Sequence, residues 1–217
     1  GGFLERYGLQ DQFEIFNRHL KRVTQMCLDR DLEPMIWSDM YFRIGSKSHE
    51  YYDTGAEIPD TVVEAIPEDV QLVYWDYYHD APEDYEAMID LHRKMNHEPI
   101  MGSGVWTWGS GNLWHDFNNT TQKAGACVEA CRKSGLKEIF FTLWGDDGAT
   151  CDIDSCLAGL AWVAEKCYNP DDDQTTFERR FDRLNDSSFE GHRIAAGLQS
   201  PIRASSTIWD DPLLRMY

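Results

Sequence analysis

Four short apolar runs, each ending in tryptophan with an acid or a second tryptophan, constrain this chain more than any other feature. In EIFFTLWGDDG (Glu138 to Gly148) a buried-type run, IFFTL, leads into Trp144, Asp146 and Asp147. PMIWSDM ends in Trp37 and Asp39, VQLVYWDYY in Tyr74, Trp75 and Asp76, and PIMGSGVWTWG in Trp106 and Trp108. The strand-end residues Trp37, Trp75, Trp106 and Trp144 are 38, 31 and 38 residues apart. Each interval has room for a strand, a loop and a helix, which is the repeating unit of a parallel sheet. Short right-handed connections then set the four strands side by side with helices outside.

The segments between these runs carry helical signals. Residues 10–30 place Phe13, Phe16, Leu20, Val23, Met26 and Cys27 at helical spacing. Further helices are expected after an Asp60 cap, from Pro82 through YEAMIDLHRKM, over TTQKAGACVEACRKSG to a Gly135 stop, and from Cys151 to Tyr168. Composition changes after Asn169-Pro170, where DDDQTTFERRFDRLN reads as a separate helical segment. No G-x-G-x-x-G follows a strand, which disfavours a dinucleotide fold, and functional side chains at every strand end favour a barrel. The expected class is α/β: a partial (βα)8 TIM barrel of about four βα units with parallel strands, with a short α-helical C-terminal extension. Residues 1–168 are assigned to the second half of the barrel and 169–217 to the helical segment.

Side chains alternate faces along a strand, so residues two apart point the same way. That rule pairs Trp37 with Asp39, Tyr74 with Asp76, Trp106 with Trp108 and Trp144 with Asp146, and wedges Trp75 between strand and helix. Indole faces stack on the C–H faces of a pyranose, and carboxylates accept hydrogen bonds from neighbouring hydroxyls, so the set points to a sugar-binding pocket. Asp39 serves equally as a cap of the next turn, and Asp147 as a turn residue beside Gly148.

At this point the runs IWSDMYF, IPEDVQLVYWDYYHD, GVWTW and LWGDDGA resemble glycoside hydrolase family 20, the β-N-acetylhexosaminidases, over nearly the whole chain, including the tail DDPLLRMY. The resemblance implies a (βα)8 barrel that removes terminal β-linked N-acetylglucosamine or N-acetylgalactosamine with retention. The substrate's own acetamido oxygen is the nucleophile and an oxazolinium the intermediate. It further implies that Trp37, Trp106 and Trp144 wall the acetamido pocket and that Trp108 belongs to the same sugar-binding set. Tyr74 would hydrogen-bond the acetamido oxygen, Asp76 would be a polar partner of the sugar, and Asp146 would grip ring hydroxyls. An adjacent Asp–Glu pair does the family's acid chemistry, and no such dipeptide occurs here. GGFLERYG resembles the segment just C-terminal to that pair, so the chain is expected to begin after it and to be inactive alone. Two other readings stay open: a non-catalytic carbohydrate-binding half-barrel, and a different sugar-processing barrel with Asp76 and Asp146 as its catalytic carboxylates.

Composition narrows the partners. A formal charge of −18, from 20 basic and 38 acidic residues, argues against nucleic acid and against an anionic membrane. The six cysteines form no CxxC, and His79, His92, His97, His115 and His192 have no partner at ligand spacing, so neither a metal nor any other cofactor is expected. Reduced thiols fit a cytoplasmic location. Open sheet edges would favour self-association into a homo-oligomer.

Overall fold

The computed structural model describes residues 2–109, 112–145, 148–171 and 173–197. Four strands, β1 (Met35–Trp37), β2 (Gln71–Trp75), β3 (Ile100–Gly104) and β4 (Ile139–Thr142), form one sheet in sequential order. The ladders β1–β2 and β2–β3 are parallel, with Trp37 opposite Val73 and Trp75 opposite Gly102. Met101 N–H to Glu138 C=O and Val105 N–H to Thr142 C=O, both 3.0 Å, advance in step and continue the parallel pattern to β4. Helices fall before, between and after the strands: α1 (Gly2–Tyr7), α2 (Gln12–Leu28), α3 (Asp39–Arg43), α4 (Asp60–Val63), α5 (Pro82–Lys94), α6 (Phe117–Asn119), α7 (Gly125–Ser134), α8 (Leu157–Tyr168), α9 (Gln174–Asn185) and α10 (Phe189–Gly197). The chain is thus a mixed α/β protein built on a parallel sheet. No helix of the described residues is long and apolar enough to cross a membrane.

Local chemistry explains most boundaries. Asp11 caps α2 by accepting the Glu14 N–H at 2.9 Å, and Asp173 caps α9 through Thr176 in the same way. Gly135, at φ +72, ends α7 in the left-handed conformation that glycine adopts without strain. Asp60 does not cap α4 as expected: it is the first helical residue, and Pro59 precedes it without a side-chain cap.

The backbone divides into two compact units. The first holds the described residues up to Asp76, Glu83–Gly102 and Lys133–Ile139. Its core brings Tyr41, Phe42, Leu72, Tyr74, Tyr85, Met88, Ile89 and Met101 to near-zero exposure. Inside it, His92 is fully buried and shows which nitrogen carries the proton. Nδ1 lies 2.7 Å from the Met88 carbonyl, which only accepts, so Nδ1 donates and Nε2 accepts the Ser38 hydroxyl at 2.7 Å. The second unit holds Tyr77–Pro82, Ser103–Arg132 and the described residues from Phe140 onward. There Val105 and Cys156 share an apolar core with Trp162 and Val163 of α8, Phe177 and Phe181 of α9, and Phe189 of α10. Glu165 of α8 is nearly buried and paired with Arg180 of α9. Helices α9 and α10 therefore pack into the second unit's core and do not stand apart from it.

Burial pushes the His92 imidazole down to about 4 from its ordinary 6.5. Between pH 6.5 and 4 the unfolded chain binds a proton that the folded chain refuses, so stability falls as pH falls across that window, by about 1.4 kcal/mol per pH unit at most. His115, lowered to about 4 by burial, acts in the same direction. Urea midpoints should drop steadily from pH 7 to pH 4.5. A His92→Gln chain, weaker at pH 7 because the Ser38 and Met88 contacts are disturbed, should show a shallower slope.

Candidate functional site

In the first unit, the parallel register decides which side chains meet. Trp37, Val73, Trp75 and Gly102 lie on one face of the sheet, and Leu72, Tyr74 and Met101 on the other. On the first face Trp37 meets Trp75 edge-on, with ring centroids 6.5 Å apart, and Tyr52 meets Trp75 at 5.3 Å and 89°. Tyr51 lies 6.4 Å from Trp75, beneath the Arg43 guanidinium. Trp75 donates its indole N–H to the Asp39 carboxylate. Burial raises the Asp39 carboxyl, and the bonds from Trp75 and from the Met40 and Asp39 backbone N–H groups pull it back. Trp75 is therefore not wedged between strand and helix, the place that parity counting from Tyr74 predicts for it.

That position belongs to Tyr74. Its ring lies 5.1 Å from His92 and 6.4 Å from Tyr85, both on α5. Its hydroxyl donates to Asp76 Oδ2 at 2.7 Å, and Asp76 is completely buried. Tyr74 and Asp76 are brought together with each other, on the face opposite Trp37 and Trp75.

The second unit gathers its own cluster at the C-terminal ends of β3 and β4. Trp106 and Trp108 stack with centroids 4.3 Å apart and planes inclined by 28°. Tyr77 packs on Trp108 at 5.0 Å, and Tyr78 stands edge-on to Trp106 at 6.4 Å. The Tyr77 hydroxyl oxygen accepts the Trp144 indole N–H at 2.9 Å and lies 3.0 Å from the Thr142 hydroxyl. Trp144 and Tyr78 keep much of their surface open, at 39% and 57% exposure.

The backbone of this cluster is held firmly. The Trp106 N–H donates to Thr120 Oγ1 at 2.8 Å, and the Thr120 hydroxyl donates onward to the Asp116 carbonyl. Buried His115 lies 2.7 Å from the same Thr120 oxygen. Thr107 donates to the Trp144 carbonyl and Asn112 to the Trp108 carbonyl, at 2.8 and 2.9 Å.

Of the residues predicted from sequence, Trp37, Tyr74 and Asp76 thus belong to the first unit, and Trp106, Trp108 and Trp144 to the second. Asp146 and Asp147 lie outside the described residues. The buried tyrosine among the second unit's tryptophans is Tyr77, which the sequence pattern does not single out. Its signal is present in YWDYY all the same, because Trp75 and Tyr77 share one parity just as Tyr74 and Asp76 share the other. Tyr51 and Tyr52 escape sequence reasoning because they stand in a long loop with no periodic pattern.

No protein-family model and no curated protein matches this chain. Chemistry must therefore be argued from the clusters themselves. Among the described residues no group of three His, Cys, Asp or Glu is arranged to hold a metal ion. A cavity of about 640 Å³ in the first unit lies at the N-terminal ends of the strands, lined by Glu33, Glu68, Gln71, His97, Glu98 and Glu138 among others. It contains no Trp, Tyr or Phe, and those carboxylates are exposed, so it offers a sugar nothing to stack on.

Gly104 sets the position of Trp108. A Cβ at residue 104 would fall 2.4 Å from the Trp108 ring and 3.1 Å from Tyr77. Gly104→Ala should displace Trp108 from its stack on Trp106 at a cost of about 1–3 kcal/mol. The expected readouts are a changed near-UV circular dichroism signal and a lower urea midpoint, with far-UV ellipticity retained.

Proposed function

We propose that the four strands are part of a (βα)8 barrel and that the chain is part of a retaining exo-β-N-acetylhexosaminidase acting on terminal N-acetylglucosamine or N-acetylgalactosamine. The observation that carries this reading is the cluster of Trp106, Trp108, Trp144 and Tyr77. Flat indole surface, partly open to solvent, stands beside a buried phenol at the strand ends where barrel enzymes bind substrate. Such a wall stacks on a pyranose and leaves the hydroxyls and the acetamido group to polar neighbours. In the reaction the acetamido oxygen attacks the anomeric carbon as the glycosidic C–O bond breaks. The departing oxygen takes a proton, and water then opens the oxazolinium. In this reading the chain's part is to bind and orient the sugar, since its 217 residues contain no Asp–Glu dipeptide to protonate the leaving oxygen.

The resemblance assigns the acetamido hydrogen bond to Tyr74, whereas the geometry favours Tyr77. Tyr74 packs against α5 and gives its hydroxyl proton to Asp76, while Tyr77 lies among the tryptophans. The same burial argues against Asp76 as a catalytic carboxylate of another barrel type. A non-catalytic carbohydrate-binding role is the second reading, favoured by the lack of any Asp–Glu dipeptide in the sequence.

Titration of purified 1–217 with N-acetylglucosamine should quench tryptophan fluorescence, and Trp108→Ala should weaken binding about tenfold, the equivalent of 1.4 kcal/mol. Tyr77→Phe should weaken the acetamido sugar more than glucose, with Tyr74→Phe affecting both equally through the fold; the reverse order would return the role to Tyr74. A chromogenic β-N-acetylglucosaminide should not be turned over above background. Equal affinity for glucose and N-acetylglucosamine in the unmutated chain would favour the general binding module.

A further inference from the structure

Trp106 owes its placement to groups outside the aromatic cluster. Both of its backbone groups are taken: its N–H donates to Thr120 Oγ1 at 2.8 Å, and its C=O accepts the Asp116 N–H at 2.9 Å. Thr120 opens the π-helical turn Thr120–Ala124 and is completely buried. A hydroxyl has one proton and two lone pairs. The Thr120 proton goes to the Asp116 carbonyl at 2.9 Å, a group that can only accept, and one lone pair receives the Trp106 N–H. His115 Nε2, 2.7 Å away, meets the other lone pair, so the neutral imidazole carries its proton on Nε2. Buried His115 is itself closely held. Its backbone N–H donates to Ser155 Oγ at 2.8 Å, and Phe117 stands edge-on to the ring at 5.8 Å. Residue 159 of α8 approaches so near that a Cβ on that glycine would fall 2.5 Å from Nε2.

We propose that His115 is a positioning residue for the aromatic wall: through the Thr120 hydroxyl it fixes the Trp106 backbone, and thereby the Trp106–Trp108 stack. Threonine in a helix has two open χ1 wells, and the Nε2–H bond favours the one that faces Trp106. Without that donor the Thr120 oxygen keeps an unfilled lone pair in a buried site, and the side chain is free to turn away from Trp106. A wall that stacks on a pyranose gains affinity when its indoles are set before the sugar arrives, because ordering them on binding is costly. What the stack is positioned for rests on the sugar-binding reading; the positioning itself does not.

The test reads two signals from the purified chain: the exciton couplet of the stacked indoles by circular dichroism, without sugar, and N-acetylglucosamine binding by tryptophan fluorescence. His115→Leu keeps bulk and removes the donor. It should lose most of the couplet and bind the sugar about tenfold more weakly, the scale of one buried hydrogen bond. His115→Gln restores an N–H near the place of Nε2 and should recover both signals. Adding His115→Leu to Thr120→Val should change the couplet no further than Thr120→Val alone, since both act through one chain of bonds. Should His115→Leu fail to fold, Gly159→Ala takes its place: it crowds the ring, removes no polar group, and should also weaken the couplet. A full couplet in His115→Leu or Gly159→Ala, or a loss in His115→Gln equal to that in His115→Leu, would overturn the proposal. A couplet that follows His115 in a chain that binds no N-acetylglucosamine would uphold the positioning and remove the sugar reading.

Discussion

The parallel ladder between β1 and β2 decides everything that the first unit can present. With Trp37 opposite Val73, the odd residues of β2 share the Trp37 face and the even ones turn toward α5. A shift of one residue would exchange the two sets completely. The register is secured by the groups on the α5 side. Tyr74, His92, Ser38 and Asp76 form buried polar contacts in which each hydrogen has a place, and a neutral imidazole is required at their centre. An apolar face could slide by one residue at moderate cost, whereas a face with directed buried hydrogen bonds cannot, because each bond left unmade costs a desolvated polar group.

Strand β3 makes the aromatic surfaces possible by withholding side chains. In the first unit Gly102 stands opposite Trp75, and in the second Gly104 lies beneath Trp108. A strand reading IMGSG is poor by intrinsic preference, since glycine gains nothing from packing and loses much entropy. The compensation is that large rings can lie against its backbone. The tryptophans and the glycines are thus one feature of the sequence rather than two.

Much of this architecture is legible in the order of the residues. The four strands, the helices at 12–28, 82–94, 125–134, 157–168 and 174–185, and the parallel order all agree with apolar runs spaced for a βα repeat. The side that each parity faces is not legible in the same way. Along VQLVYW both parities are large and apolar, Leu72 and Tyr74 against Val73 and Trp75, so no amphipathic contrast marks the outward face. The expectation that Trp75 lies beneath a helix fails for that reason, and with it Tyr77 escapes notice. The short helix Gly2–Tyr7 and the helix Phe189–Gly197 are also unmarked, the first being only six residues long and the second containing two glycines.

The two acids of the first unit show how environment, more than residue type, assigns a role. Asp76 is wholly enclosed and receives the Tyr74 hydroxyl, so it acts on the strand–helix layer and on the placement of a phenol. Asp39 opens the short helix after β1, receives the Trp75 indole N–H, and is held above the ordinary carboxylate range by partial burial. A carboxylate that is to meet a hydroxyl from solution must keep an unfilled lone pair on an accessible side. Asp39, on the tryptophan face, is placed for that, and Asp76 is not. If the Trp37–Trp75 surface contacts a sugar, the acid beside it is the one that precedes the helix, and the acid that ends the strand serves the fold.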